Sequence, residues 1–290
     1  MPLTTTRELI DAAVARSSAV FGFNVITLEQ AEAVVAGAEE AGTGAILQVS
    51  ENAIGFHDGD MGPLLSACAG IAAASSVPLA LHLDHFRDEA LIGEGIERAA
   101  GLGVSSIMVD ASHRSHDRNV SETLRAAQRA QELGLWVEAE LGEIGGKDGA
   151  HSPLVRTRPH EAVDFVAATR VDALAVAVGS SHAMTSASAE LDLELTALLA
   201  QVVDVPLVLH GSSGVRDALL VSAVAAGVRK INVGTALNIA FTEQIRLALA
   251  EDPRMHDPRR YIAGGRQAIS RTVDHLCGLL TGASDSGLVR

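Results

Sequence analysis

Three histidines that lie far apart in the chain, His85, His182 and His210, each stand where an apolar run gives way to a polar stretch. The runs read PLALHLDH (78–85), ALAVAVGSSH (173–182) and PLVLHGSSG (206–214). Neutral imidazoles at the ends of buried strands are donors for a divalent ion, and three of them leave one coordination position open. Asp84, adjacent to the first histidine, supplies a carboxylate where proton transfer would need one. His82 shares the strand parity of Asp84 and reads as a barrel-interior residue, a weaker ligand candidate than the other three.

Two more carboxylates, Asp110 and Glu140, terminate neighbouring apolar runs. A buried carboxylate needs a partner. That partner could be the metal, a histidine ring N–H behind the metal, a second metal position, or an arginine such as Arg114. Two segments suit phosphate: GSSGV (211–215) and NVGT (232–235), each between an apolar run and a helical pattern. Glycine and hydroxyl residues at a helix start expose N–H groups to an anion. Lysine occurs only at 147 and 230, and Lys230 opens an apolar run, so chemistry through a lysine Schiff base is disfavoured.

The elements that must carry these residues alternate regularly. Strand-like runs span 20–26, 44–50, 78–84, 104–110, 135–142, 173–180, 206–212 and 230–235. They are almost continuously hydrophobic, as strands covered on both faces should be. Between them lie helical patterns such as 28–42, 88–103 and 120–134, several closing on glycine. Eight repeats without a linker predict one (β/α)8 TIM barrel over residues 1–290, with a helix over 5–18 before it and helices over 256–280 after it. A doubly wound open sheet is the alternative, but VFGFNVITLEQ after the chain start is not a dinucleotide fingerprint. The polar residues Asn24, Ser50, Asp84, Asp110, Glu140, Ser180, His210 and Asn232 gather at the C-terminal ends of the strands, where such barrels hold their sites. The Gly-, Ser- and Pro-rich stretch 142–159 reads as a mobile loop on that face.

The bulk numbers restrict the partners. With 290 residues and a net charge of −14, the chain is unsuited to nucleic acid or an anionic membrane. No run approaches the length of a membrane span, and the first twenty residues lack a basic head followed by an apolar stretch. Two distant cysteines, Cys68 and Cys277, make neither a zinc cluster nor a disulfide framework, which fits a cytoplasmic location.

Taken together, HLDH (82–85), VDASH (109–113), VEAELGEIGG (137–146), GSSH (179–182), LHGSSG (209–214) and INVGT (231–235) resemble the class II, zinc-dependent ketose-bisphosphate aldolases. The resemblance implies cleavage of fructose 1,6-bisphosphate, or of tagatose 1,6-bisphosphate as second choice, to dihydroxyacetone phosphate and an aldehyde. It implies that His85, His182 and His210 ligate one zinc ion, while Asp110 and Glu140 line an alternative metal position. Asp84 would exchange a proton with the C4 oxygen of the ketose. Gly211, Ser212, Ser213, Asn232, Val233, Gly234 and Thr235 would hold the phosphate of dihydroxyacetone phosphate, with Asn24 and Ser50 on the substrate side. Arg259, in DPRRY, would reach the second phosphate across a homodimer or homotetramer interface. Ala183 replaces a glycine common in relatives, at a point where phosphate or a monovalent cation would approach. Gly234 stands where fructose-type relatives often have aspartate, and GGKDG makes Asp148 the candidate for abstracting the C3 proton. Two competing readings are a metal-dependent barrel hydrolase, in which the ion would activate water, and a non-catalytic subunit of an aldolase complex.

Overall fold

The apolar runs are strands, and they close on one another. β1 (Val20–Asn24), β2 (Ala45–Ser50), β3 (Leu79–Phe86), β4 (Val104–Val109), β5 (Trp136–Glu140), β6 (Ala173–Ala175), β7 (Leu207–Leu209) and β8 (Val228–Val233) pair in chain order, all parallel, and β8 returns to β1. This computed structural model describes residues 3–142, 156–181 and 189–285. Helices α1 (Thr6–Ala15), α2 (Leu28–Glu40), α3 (Glu51–Phe56), α4 (Gly62–Ala74), α5 (Glu89–Arg98) and α6 (His116–Glu132) accompany the first half. The second half adds α7 (Pro159–Thr169), α8 (Leu193–Val202), α9 (Asp217–Ala225), α10 (Thr235–Glu251) and α11 (Pro258–Asp285). The barrel expected from the sequence is the barrel observed.

Local signals explain the boundaries. Thr5 and Glu8 form a reciprocal cap that starts α1, and the Asp88 carboxylate accepts from the Leu91 N–H to start α5. Most strands are shorter than their apolar runs, β6 and β7 by the most. Val176 still donates its N–H to the Val208 carbonyl (3.2 Å), and the chain then pairs with Thr157, whose N–H donates to the Ala177 carbonyl (2.9 Å) and whose Oγ1 accepts from the Ala177 N–H (2.8 Å). Residues 176–178 therefore stay buried without being strand, so hydrophobicity alone overextended β6. Helix α4, GPLLSACAGIAAA, is apolar or small on nearly every face, so it shows little amphipathic period.

The interior of the barrel is layered, and the layering positions the site. At the bottom, Val20, Ile46, Ala80, Trp136 and Val208 pack with Leu9 and Ile10 of α1, which plugs that end. Truncating Ile46 to alanine there would cost about 2–5 kcal/mol. Above the plug the barrel turns polar: Gln48, His82, Ser106, Glu138 and Lys230 are all buried. Gly22 makes room for this layer, since a Cβ there would collide with the Gln48 side chain at 2.0 Å. His82 Nδ1 and Ser106 Oγ are 2.8 Å apart, and Ser106 continues to Thr6 Oγ1 of α1 at 2.6 Å. A second core, including Val34, Leu65, Ile107 and Phe165, fills the space between barrel and helices.

Candidate active site

The end of β3 breaks the strand rule that neighbouring side chains face opposite sides. His85 has φ 52°, in the left-handed region that a bulky residue rarely adopts, and the register against β4 shifts between Leu83 and Phe86. The kink turns Asp84 and His85 toward the same opening. Backbone strain of this kind costs about 1–3 kcal/mol and gathers at functional sites.

His85 meets His210 across the mouth. His85 Nε2 and His210 Nδ1 are 2.8 Å apart, with the rings edge to face. The other nitrogen of each ring is committed to a carboxylate: His85 Nδ1 to Asp110 (3.2 Å) and His210 Nε2 to Glu138 (2.7 Å). An ionised carboxylate only accepts, so both outer nitrogens carry the proton and both inner nitrogens present a lone pair. Two lone pairs at that separation repel unless a cation or a proton lies between them. The donor set therefore fits a metal ion, in the histidine–carboxylate arrangement that usually supports one. Candidate ligand atoms of Asp84, His85 and His210 all lie within 4.8 Å of one another, as do those of His85, Asp110 and Glu140.

Asp84 is held as an anion. The Asn24 Nδ2 donates to one oxygen (2.7 Å) and the Asn232 Nδ2 to the other (3.3 Å). Burial alone would raise its pKa, but the imidazoles of His85, His210 and His82, with Lys230 beyond them, outweigh that and bring it to about 2. The Gln48 Nε2 in turn donates to the Asn24 Oδ1 (3.3 Å), which orients the amide.

Lys230 corrects the sequence reading. The strand begins at Val228, so Lys230 lies mid-strand rather than at its start, and its side chain is fully buried inside the barrel. Its Nζ donates to the Glu138 Oε2 at 2.7 Å, while the Glu138 Oε1 holds His210. Burial would raise the Glu138 pKa; Lys230 overrides this and holds the carboxyl below its ordinary range. Glu138 was not anticipated from sequence, although its parity with Glu140 in V-E-A-E-L places both on the inner face. Asp110 pairs with His85 and with the Ser112 hydroxyl (2.6 Å), whereas Arg114 turns to Glu122.

The two glycine segments meet beside this cluster. The Ser212 hydroxyl bonds to the Asn232 carbonyl, and the Ser213 Oγ accepts from the Ala236 N–H (3.0 Å) at the start of α10. Gly211, at φ 66°, must be glycine, because a Cβ would come within 2.5 Å of the Ser181 backbone. That contact brings the residue preceding His182 against the residue following His210.

The resulting pocket, about 310 Å³, is lined by Asn24, Ser50, Asp84, His85, His210, Gly211, Ser213, Asn232, Gly234 and Thr235. Asn52 and Asn238 also line it and carried no sequence signal beyond ordinary polarity, and Ser181 of the GSSH motif joins them. Ser212 and Val233 are buried beneath the loops as braces. Arg259 is not brought to this pocket: it sits at the start of α11, its side chain 88% exposed and paired with Asp257. His182, Ala183, Asp148 and most of the 142–159 stretch lie outside the described residues.

Comparisons with known proteins agree on one family. A sequence model described as fructose-bisphosphate aldolase class-II matches residues 4–285. A fructose-bisphosphate aldolase of Geobacillus stearothermophilus is 35% identical over 280 residues, covering 94% of this chain and 95% of that protein. One from Giardia intestinalis is 35% identical over 300 residues, covering 94% and 91%. Among solved structures, the YdjI aldolase of Escherichia coli K12 matches at TM-score 0.79 and 28% identity, covering 96% of this chain and 97% of that one.

Proposed function

The chain belongs to the class-II fructose-bisphosphate aldolase family, and on that footing we propose that it cleaves a ketose bisphosphate to dihydroxyacetone phosphate and an aldehyde. Fructose 1,6-bisphosphate is the first substrate and tagatose 1,6-bisphosphate the second. The observation that carries this reading is the convergence of Asp84, His85 and His210 in one pocket with both phosphate-type loops.

The residues divide the work. His85 and His210, with His182, would hold a zinc ion, and Asp110 and Glu140 would line an alternative position beside His85. When bound, such an ion supplies Lewis acidity for the negative charge left on the ketone fragment. Asp84, ionised at neutral pH, takes the C4 hydroxyl proton as the C3–C4 bond breaks and returns it during condensation. Asn24 and Asn232 aim that carboxylate by their two hydrogen bonds. Backbone N–H groups of residues 211–213 and of the α10 start bind the phosphate of the ketone fragment, with the helix dipole favouring its charge. Asp148 is the candidate for moving the C3 proton.

Glu138 and Lys230 act as positioning residues that set the tautomer of His210 from below. Arg259, exposed on one copy, would serve the second phosphate in a neighbouring copy of a homodimer or homotetramer. No helix among the described residues is long and apolar enough to cross a membrane, and Cys68 and Cys277 are free and buried, which supports a cytoplasmic enzyme acting as one domain.

The deciding experiment measures cleavage rates of fructose and tagatose 1,6-bisphosphates, and of the corresponding 1-phosphates, by zinc-loaded protein. Bisphosphate cleavage that yields dihydroxyacetone phosphate is expected. Absence of aldol cleavage with all four sugars would overturn the assignment.

A further inference from the structure

A second cavity, about 270 Å³, opens between α5 and α6 on the outer side of the barrel, behind the end of β4. It shares no lining residue with the pocket described above. Its floor is apolar, built from Ile92 and Ile96 of α5, Val109 of β4 and Ala126 of α6. Four guanidinium groups surround it, from Arg87, Arg114, Arg125 and Arg129. Three carboxylates, of Glu89, Asp110 and Glu122, also line it, so the guanidinium groups outnumber the acids by one.

Among the described residues, three of the four arginines have partners and one does not. Arg114 lies 3.6 Å from Glu122 and Arg129 bonds to Glu97, but Arg125 makes no hydrogen bond or ion pair with the described residues. The Asp110 carboxylate, although in the wall, is turned to His85 and Ser112. His113 accepts from the Arg87 Nε (3.3 Å), and burial first, then Arg87 and Arg114, hold its pKa below the ordinary histidine value against the opposing pull of Asp110 and Glu122. Gly93 keeps the floor open, since a Cβ there would meet nothing nearer than the Arg129 guanidinium at 3.5 Å.

We propose that this cavity binds a small organic anion, a phosphate ester or a carboxylate, with its charge held by Arg125 and by Arg114 beside it and its apolar body on Ile92, Ile96 and Val109. Planar guanidinium forks match both kinds of anion in paired hydrogen bonds. A cavity of roughly 150 Å³ accommodates a benzene ring, so this one suits a ring-sized body with a charged group attached. It lies below the roughly 300–1,000 Å³ of pockets for drug-sized ligands, which sets it against a nucleotide.

The test is calorimetric titration of the full-length zinc-loaded protein with phenyl phosphate, benzoate and inorganic phosphate at low ionic strength. Phenyl phosphate or benzoate is expected to bind more tightly than inorganic phosphate. The tighter of the two identifies the charged group, and either order supports the site. Arg125→Ala should weaken that binding at least about tenfold by removing the unpartnered cation. Gly93→Leu should do the same by filling the floor, and it replaces a poor helix former with a good one, so its thermal melting should be at least as high as wild type. Absence of binding overturns the proposal. So does binding that survives both variants, or that is lost in Ser213→Ala instead, since the anion would then sit at the phosphate loops. None of these outcomes depends on aldol cleavage, so the two assignments stand or fall separately.

Discussion

Lys230 and Glu138 form a fully buried ion pair, Nζ to Oε2 at 2.7 Å, and the same carboxylate holds His210 through its other oxygen. Breaking a buried pair by removing one partner leaves a charge without compensation, which costs about 3–5 kcal/mol. Lys230→Met should therefore destabilise the fold by that amount in chemical denaturation. Glu138→Gln/Lys230→Met, which removes both charges, should be less destabilised than the sum of the single variants. Strictly additive losses would show that the pair is not coupled. Zinc affinity, read by competition with a chromophoric chelator, should also fall about 10–100-fold in Glu138→Gln as the His210 tautomer is released.

Asp84→Asn keeps the shape of the side chain and removes the charge that accepts a proton. Turnover should fall by about 10²–10⁴, the usual worth of a positioned acid–base group. Bound zinc, measured by elemental analysis, should stay at the wild-type level. Near-normal turnover in this variant would rule out the assigned proton exchange.

Metal removal should abolish cleavage and zinc should restore it. Because the ion binds only the folded chain, thermal melting should also rise on reloading, by about 4 kcal/mol of stability at a thousandfold excess over Kd. Activity that persists after exhaustive chelation would contradict the role given to His85 and His210. Borohydride should trap no adduct at Lys230, which is enclosed and committed to Glu138.

His82 gives the protein an acid sensitivity of its own. Burial first, then Lys230, lowers its pKa to about 3, and its Nε2 has no hydrogen-bond partner. An unfolded histidine titrates near about 6.5. Between those values the unfolded chain binds a proton that the folded chain refuses, so stability falls as pH drops through that window. With both proteins free of metal, His82→Gln should lose less stability than wild type between pH 6 and 4, by up to about 1.4 kcal/mol per pH unit. Parallel stability curves would mean that folded His82 takes up its proton as an unfolded histidine does, so that its pKa is not lowered.

Much of this architecture was legible because strand parity is a strong constraint. His82 with Asp84, Glu138 with Glu140 and Lys230 with Asn232 are each two apart, so each pair shares the inner face at successive depths. The strand-end polar residues and both glycine segments could be read from the alternation of apolar runs. Depth could not. Lys230 seemed to open a strand because Arg229 interrupts the apolar run before it, yet Arg229 turns its side chain back to the Val224 and Val228 carbonyls and the strand starts earlier. The lone Thr157 that ends β6 acts from a distant loop, and no local pattern announces it. Arg259 was read into the site from resemblance, and within one chain it remains outside.

The twisted backbone at position 85 bears on any attempt to move this chemistry elsewhere. Grafting the H-x-D-H letters onto a regular strand of another barrel would send the last imidazole outward, away from its intended companion. A transplant must carry the unusual torsion along with the side chains, and a β-branched residue at that point would resist adopting it.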